Sequence, residues 1–266
     1  MKKTAPIGVI DSGVGGLSVL KCLHKNLPCE DFIYLGDTAR TPYGSRSAGE
    51  VKRFTGEMLD WLEAQGVKLV VIACNTITVT GVDELGKGRP FAIVGMSKGE
   101  KLVLDASKNK KIGVLATAFT ISTGAHKKAI LAVDSGADVH PVACPKFVPL
   151  IEGEQFGSAE LTAAIREYVE PLVKSGVDTI ILSCTHFPFV EEKIREIAGS
   201  GVTVIDPAEA TSANAAIALK AQNLARTEGQ GTVTICCTAD ADRVRRLAAR
   251  MLPTDGCQFK EIRLTK

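Results

Sequence analysis

The chain has no run of about 18 apolar residues, so no part of it reads as a helix that crosses a bilayer. It has almost no excess of charge. Thirty-two Lys and Arg stand against 30 Asp and Glu, and a net charge of +2 sets up no field that would select nucleic acid or a membrane surface as partner. Its eight cysteines include no CxxC pair, which leaves a zinc ribbon or a thioredoxin-type redox motif without support. Neither GxGxxG nor GxxxxGK[ST] occurs, so the nucleotide-binding fingerprints are missing too. Residues 1–6 lack the apolar core of a secretion signal, which predicts a cytoplasmic protein. In a reducing compartment, scattered cysteines serve as buried small hydrophobes, metal ligands or nucleophiles rather than disulfides.

What is present is ordinary globular composition, 45% apolar and 23% charged, in a chain of 266 residues. That length suffices for one large domain or two small ones. Short apolar runs at 6–10, 32–35, 69–72, 91–94, 112–115, 179–182, 202–205 and 233–236 read as buried strands. Amphipathic stretches at 48–65, 159–174 and 208–225 read as helices between them. Unbroken β-branched runs separated by helices predict parallel strands covered on both faces, an α/β fold.

The two halves also overlay. Residues 66–76 (GVKLVVIACNT) match 176–186 (GVDTIILSCTH) at an offset of 110, and Cys74 falls on Cys184. Residues 7–12 pair with 112–117 at an offset of 105, and 91–94 pair with 202–205 at 111. Three strands recurring in order predict two similar lobes, each a mainly parallel sheet flanked by helices. A pseudo-two-fold axis would relate them and place the active site between them. The expected first lobe is residues 1–97 with 210–266, carrying Cys74; the second is 98–209, carrying Cys184. Ligands of open parallel sheets bind beyond the carboxyl ends of the strands, where both cysteines lie.

Local context sharpens that pair. Cys74 sits between a strand and a helix-like segment, with Asn75 and Thr76 as donors suited to a carboxylate. A buried cysteine packing as a hydrophobe is the ordinary reading of such a residue, and only the repeat outweighs it. Cys184 is followed by Thr185 and His186, and His186 can relay a proton or tune the thiol. Asp11 and Ser12 open a glycine-rich turn whose exposed amides suit an anion, while Asp11 suits an ammonium group or a nearby thiol. Residues 36–44, which include Tyr43 and Gly44, form a second polar loop after a strand. Glu152 has the least local support. Four arginines, Arg243, Arg245, Arg246 and Arg250, read as a solvated helix face rather than an anion patch.

Five segments together resemble glutamate racemase, of the aspartate/glutamate racemase superfamily: IDSGVGG at 10–16, GDTARTPYG at 36–44, IACNT at 72–76, FVPLIE at 147–152 and CTHFP at 184–188. The resemblance implies that Cys74 and Cys184 are the two catalytic acid/bases, with Asp11 assisting Cys74, and His186 and Glu152 assisting Cys184. It implies substrate contacts at Asp11, Ser12, Tyr43, Gly44, Asn75, Thr76, Thr117, Thr185 and His186. It further implies glutamate as substrate, no cofactor and no metal, a homodimer, and a role in supplying D-glutamate for bacterial peptidoglycan. Three positions depart from the usual pattern: Ser183 where glycine is common, Ile77 where alanine is common, and 95–99 where a proline-containing segment is common.

The chemistry explains why two thiols would be wanted. Inverting Cα requires removing a proton from one face and delivering one to the other, so a base and an acid must flank the carbon. Three other readings remain open on the residues: a superfamily racemase acting on aspartate, a two-lobed binding protein whose cysteines only line a cleft, and a metal site built from Cys74, Cys184 and His186.

Overall fold

The computed structural model describes residues 1–264 and divides the chain into two compact units, residues 1–96 with the stretch from Ala208 onward, and Ser97–Pro207. In the first unit β1 (Ile7–Asp11), β2 (Phe32–Gly36), β3 (Leu69–Ile72) and β4 (Ala92–Gly95) pair in parallel in the order β2-β1-β3-β4. In the second, β5 (Lys111–Ala116), β6 (Asp138–Ala143), β7 (Thr179–Ser183) and β8 (Thr203–Ile205) pair in parallel as β6-β5-β7-β8. The two sheets share one topology. The chain then returns to the first sheet, adding β9 (Val233–Cys237) beside β2 and β10 (Gln258–Glu261) outside it. No helix among the described residues is long and apolar enough to cross a membrane.

The repeat extends into packing. In the helix Ala48–Ala64 the buried positions include Val51, Phe54, Thr55, Met58, Leu59 and Leu62. In the helix Ala159–Lys174 they are Leu161, Ala164, Ile165, Tyr168, Val169 and Leu172. Each set follows the 3, 1, 3, 1, 3 spacing of one helical face, and the two are offset by the 110 residues that separate the cysteines. Both helices start on a serine whose hydroxyl accepts an amide three residues on, Ser47 from Glu50 and Ser158 from Leu161. Both end against a glycine of the central strand. A Cβ on Gly8 would lie 2.7 Å from Leu62 Cδ1, and one on Gly113 would lie 2.9 Å from Leu172 Cδ1. The same leucine therefore seats on the same glycine in each unit.

Two strands, β6 and β10, lack a clear apolar run, and both are sheet edges. An edge strand pairs on one side only and needs less burial. It also tolerates Pro141, which has no amide proton to give to a ladder.

Each unit buries a titratable group that bears on its stability. Below the first sheet the Lys68 ammonium, fully buried, donates to the Glu30 carboxylate and to the carbonyls of Lys3 and Leu224. Glu30 Oε1 accepts from the Arg226 amide at 2.8 Å, so this pair pins the chain returning toward β9. Lys68→Met strands a buried carboxylate and is expected to cost about 3–5 kcal/mol in urea denaturation. The double variant K68M/E30M is expected to recover most of it; equal loss in both would mean that the charge pairing is not what matters. In the second unit His126 is 4% exposed, and its Nε2 has no hydrogen-bond partner among the described residues. Burial, with Lys98 adding to it, pushes its pKa from 6.5 down to about 4. The unfolded chain takes up this proton near pH 6.5 while the folded chain resists until about 4, so stability falls as pH drops across that window. His126→Leu is expected to flatten the fall by about 3 kcal/mol, measured as unfolding free energy at pH 7 and pH 4.

Candidate active site

Parallel pairing sets the first cluster. Asp11 faces Gly36 across β1 and β2, and the Ala73 amide donates to the Ile10 carbonyl, so the residues after β1, β2 and β3 share one edge. The loops there are packed to backbone contact. A Cβ on Gly36 would stand 2.2 Å from the Gly13 carbonyl oxygen, and one on Gly16 would stand 2.8 Å from Asp11 Cβ and 2.9 Å from Ala73 Cβ. These glycines let the Asp11 turn and the Cys74 strand end close on each other.

Cys74 is buried, and its thiol donates to Ser12 Oγ at 3.6 Å. Asp11 is fully buried, and its Oδ1 accepts from the Gly13 amide at 2.8 Å. Asn75 and Thr76 begin the short helix Asn75–Thr78 and are both buried. The Asn75 Nδ2 has no hydrogen-bond partner among the described residues and is a donor available to a ligand. Tyr43 and Gly44 occupy the 3-10 turn Tyr43–Ser45, Tyr43 buried and Gly44 half-buried.

Sequence reasoning missed Asp37. It is fully buried and accepts from the Tyr43 hydroxyl, from Arg40 Nε at 2.6 Å and from Thr238 Oγ1 at 2.9 Å. Burial first, then the Asp37 carboxylate, with a smaller contribution from Cys74, hold the Tyr43 phenol far above its ordinary value, so it stays a hydrogen-bond donor. The signal was present, since Asp37 follows β2 as Ser12 follows β1, but its partner Thr238 lies 201 residues away.

The second cluster follows β5, β7 and the helix Phe147–Glu152. Cys184, Thr185, His186, Glu152 and Thr117 are all buried. Glu152 accompanies His186 through a 2.8 Å contact between Oε1 and Nε2, so the residue with least support in sequence is tied to the best-supported histidine. Burial alone lowers the His186 pKa, but hydrogen bonds to Cys184 and Glu152 and their charges outweigh it and raise the value well above 6.5. The surroundings of the ring, a carboxylate on one side and Cys184 on the other, favour its protonated form. Thr117 caps the helix Ala118–Thr123, its hydroxyl accepting from the Thr120 amide. Cys144 is a second buried thiol here, its pKa raised by burial and then by Cys184. Ser183 Oγ is fully buried with no partner among the described residues. Among the described residues no group of three His, Cys, Asp or Glu is arranged to hold a metal ion.

The structure thus gathers Asp11, Ser12, Tyr43, Cys74, Asn75 and Thr76 in one unit, and Thr117, Glu152, Cys184, Thr185 and His186 in the other. The model of the Asp/Glu/Hydantoin racemase family matches residues 7–215, a span that holds every one of these side chains. The chain belongs to that family. It is an isomerase. It is 38% identical to a glutamate racemase of Enterococcus faecalis, over 99% of this chain and 98% of that protein. Its fold superposes on a glutamate racemase isoform from Bacillus anthracis with a TM-score of 0.91 at 32% identity, covering 98% of both chains. A Francisella tularensis glutamate racemase crystallised with D-glutamate gives 0.87 at 30% identity, again over 98% of both.

The enzyme's His186 offers a direct check. Ring-nitrogen NMR is expected to show it doubly protonated through neutral pH. In Glu152→Gln the same resonances are expected to titrate at lower pH, since the carboxylate that offsets burial is gone. An unchanged titration would mean that Glu152 does not hold the proton.

Proposed function

We propose that the enzyme interconverts L- and D-glutamate by two-base transfer of the α-proton, with Cys184 removing it from the L-enantiomer and Cys74 from the D-enantiomer. The observation that carries this reading is that the two thiols follow equivalent strands, β3 and β7, each amid buried polar groups of its own. The repeat gives one chain two acid/bases of the same kind, and inversion at one carbon asks for that pair.

The roles differ by surroundings. When Cys184 takes a proton, His186 and Glu152 supply a charged partner for the sulfur as it begins without one. Cys74 works beside Ser12, with Asp11 in the adjoining turn to assist it and to meet the substrate ammonium. Asn75, Thr76, Thr185 and amides of the Ser12 turn are donors for the α-carboxylate, where charge builds as the proton leaves. Tyr43 and Gly44 contact the substrate from the 36–44 loop, and Thr117 contributes from the end of β5. This reading requires no cofactor. D-glutamate made this way would supply bacterial peptidoglycan synthesis in the cytoplasm, with the enzyme acting as a homodimer.

The test follows each enantiomer by circular dichroism in D2O, with aspartate as the control substrate. Cys74→Ala and Cys184→Ala are each expected to lose about 10³-fold or more in racemisation of glutamate. Full racemisation in either variant would end the two-base assignment, and equal rates on aspartate would end the assignment to glutamate.

A further inference from the structure

On the other side of the Asp37 cluster, the first unit holds a cavity of about 320 Å³ that the racemase chemistry does not use. Three arginines line it, Arg40, Arg53 and Arg263, with Glu57 among them and Ile262 and Leu264 forming an apolar wall. Its volume is at the lower end of small-molecule sites.

The charges there are unevenly spent. Asp37 is committed to Tyr43, Thr238 and Arg40, and Glu57 accepts from both Arg40 and Arg53. Both carboxylates are therefore occupied, while three guanidiniums face two of them. Arg40 is held on all sides: Nε on Asp37, Nη1 on Glu57, and its plane over the Phe54 ring at 4.1 Å. Yet its Nη2 is buried and has no hydrogen-bond partner among the described residues. Arg53 is placed over the same ring at 4.5 Å. Donors fixed in this way lose little freedom when a ligand arrives, and a guanidinium edge is matched in shape to an oxyanion.

We infer that this cavity is a binding site for a small oxyanion, phosphate or carboxylate, carried on an apolar body of a few carbons. The oxyanion meets Arg53 and Arg263, with the charge of the held Arg40 guanidinium beside them, and the body lies on Ile262 and Leu264. Arg40 is one hydrogen bond from Asp37, and Asp37 is one from Tyr43, so an occupant acts on the loop that carries Tyr43.

Isothermal titration with n-butyl phosphate, n-pentanoate and n-butylamine tests this without reference to racemisation, so its outcome is separate from that of the activity assays. Butyl phosphate or pentanoate is expected to bind at millimolar concentration or below, and the amine not at all. Whichever anion binds tighter identifies phosphate or carboxylate as the headgroup. Arg263→Glu, at an exposed position, is expected to weaken binding by about tenfold or more, and Arg53→Gln by a similar factor. Tyr43 ring resonances are expected to shift on binding. No binding of either anion up to about 10 mM, or unchanged binding in both variants, would overturn the inference.

Discussion

Parallel pairing about a central strand is the constraint on which the rest depends. β1 lies between β2 and β3, and β5 between β6 and β7, so in each unit three strands end at one edge. Side chains there need no long-range search to meet, because the ladder register delivers them. The register in turn needs the helices to lie close to the central strand. Gly8 against Leu62 and Gly113 against Leu172 set that distance twice over.

On this common frame the two units carry different electrostatics. The residue one past β2 is Asp37, a carboxylate that gathers Tyr43, Arg40 and Thr238. The residue one past β6 is Cys144, a thiol that burial keeps neutral. Where Thr76 follows Cys74 by two, His186 follows Cys184 by two and brings Glu152 with it. Cys74 is set beside Ser12 and the turn of Asp11, and Cys184 beside a histidine that holds a carboxylate. A repeated scaffold has thus placed two thiols at equivalent positions in unlike surroundings.

The far ends of the strands do different work. Lys68 and Asp178 are equivalent positions just before β3 and β7. Lys68 reaches Glu30 and the returning chain, while Asp178 accepts the Ser107 hydroxyl and the amides of Lys108 and Asn109. Both tie a connection down at the end of the sheet opposite the cysteines. That anchoring holds one end of each sheet, while the loops at the other end gather the buried polar groups.

The α/β class, eight of the strands, the offset of 110 that singles out Cys74 and Cys184, and most residues near them were legible in the sequence. They were so because apolar periodicity and local turn chemistry are short-range signals. The sequence did not reveal β6 and β10, whose edge positions remove the need for a continuous apolar run. Tertiary structure alone decided that Glu152 meets His186 and that Asp37 holds Tyr43 with help from Thr238. The partners of those groups stand 34 and 201 residues off in two of the cases. Contacts at that separation leave no periodicity in the chain; they exist only once the sheets have brought the strand ends together.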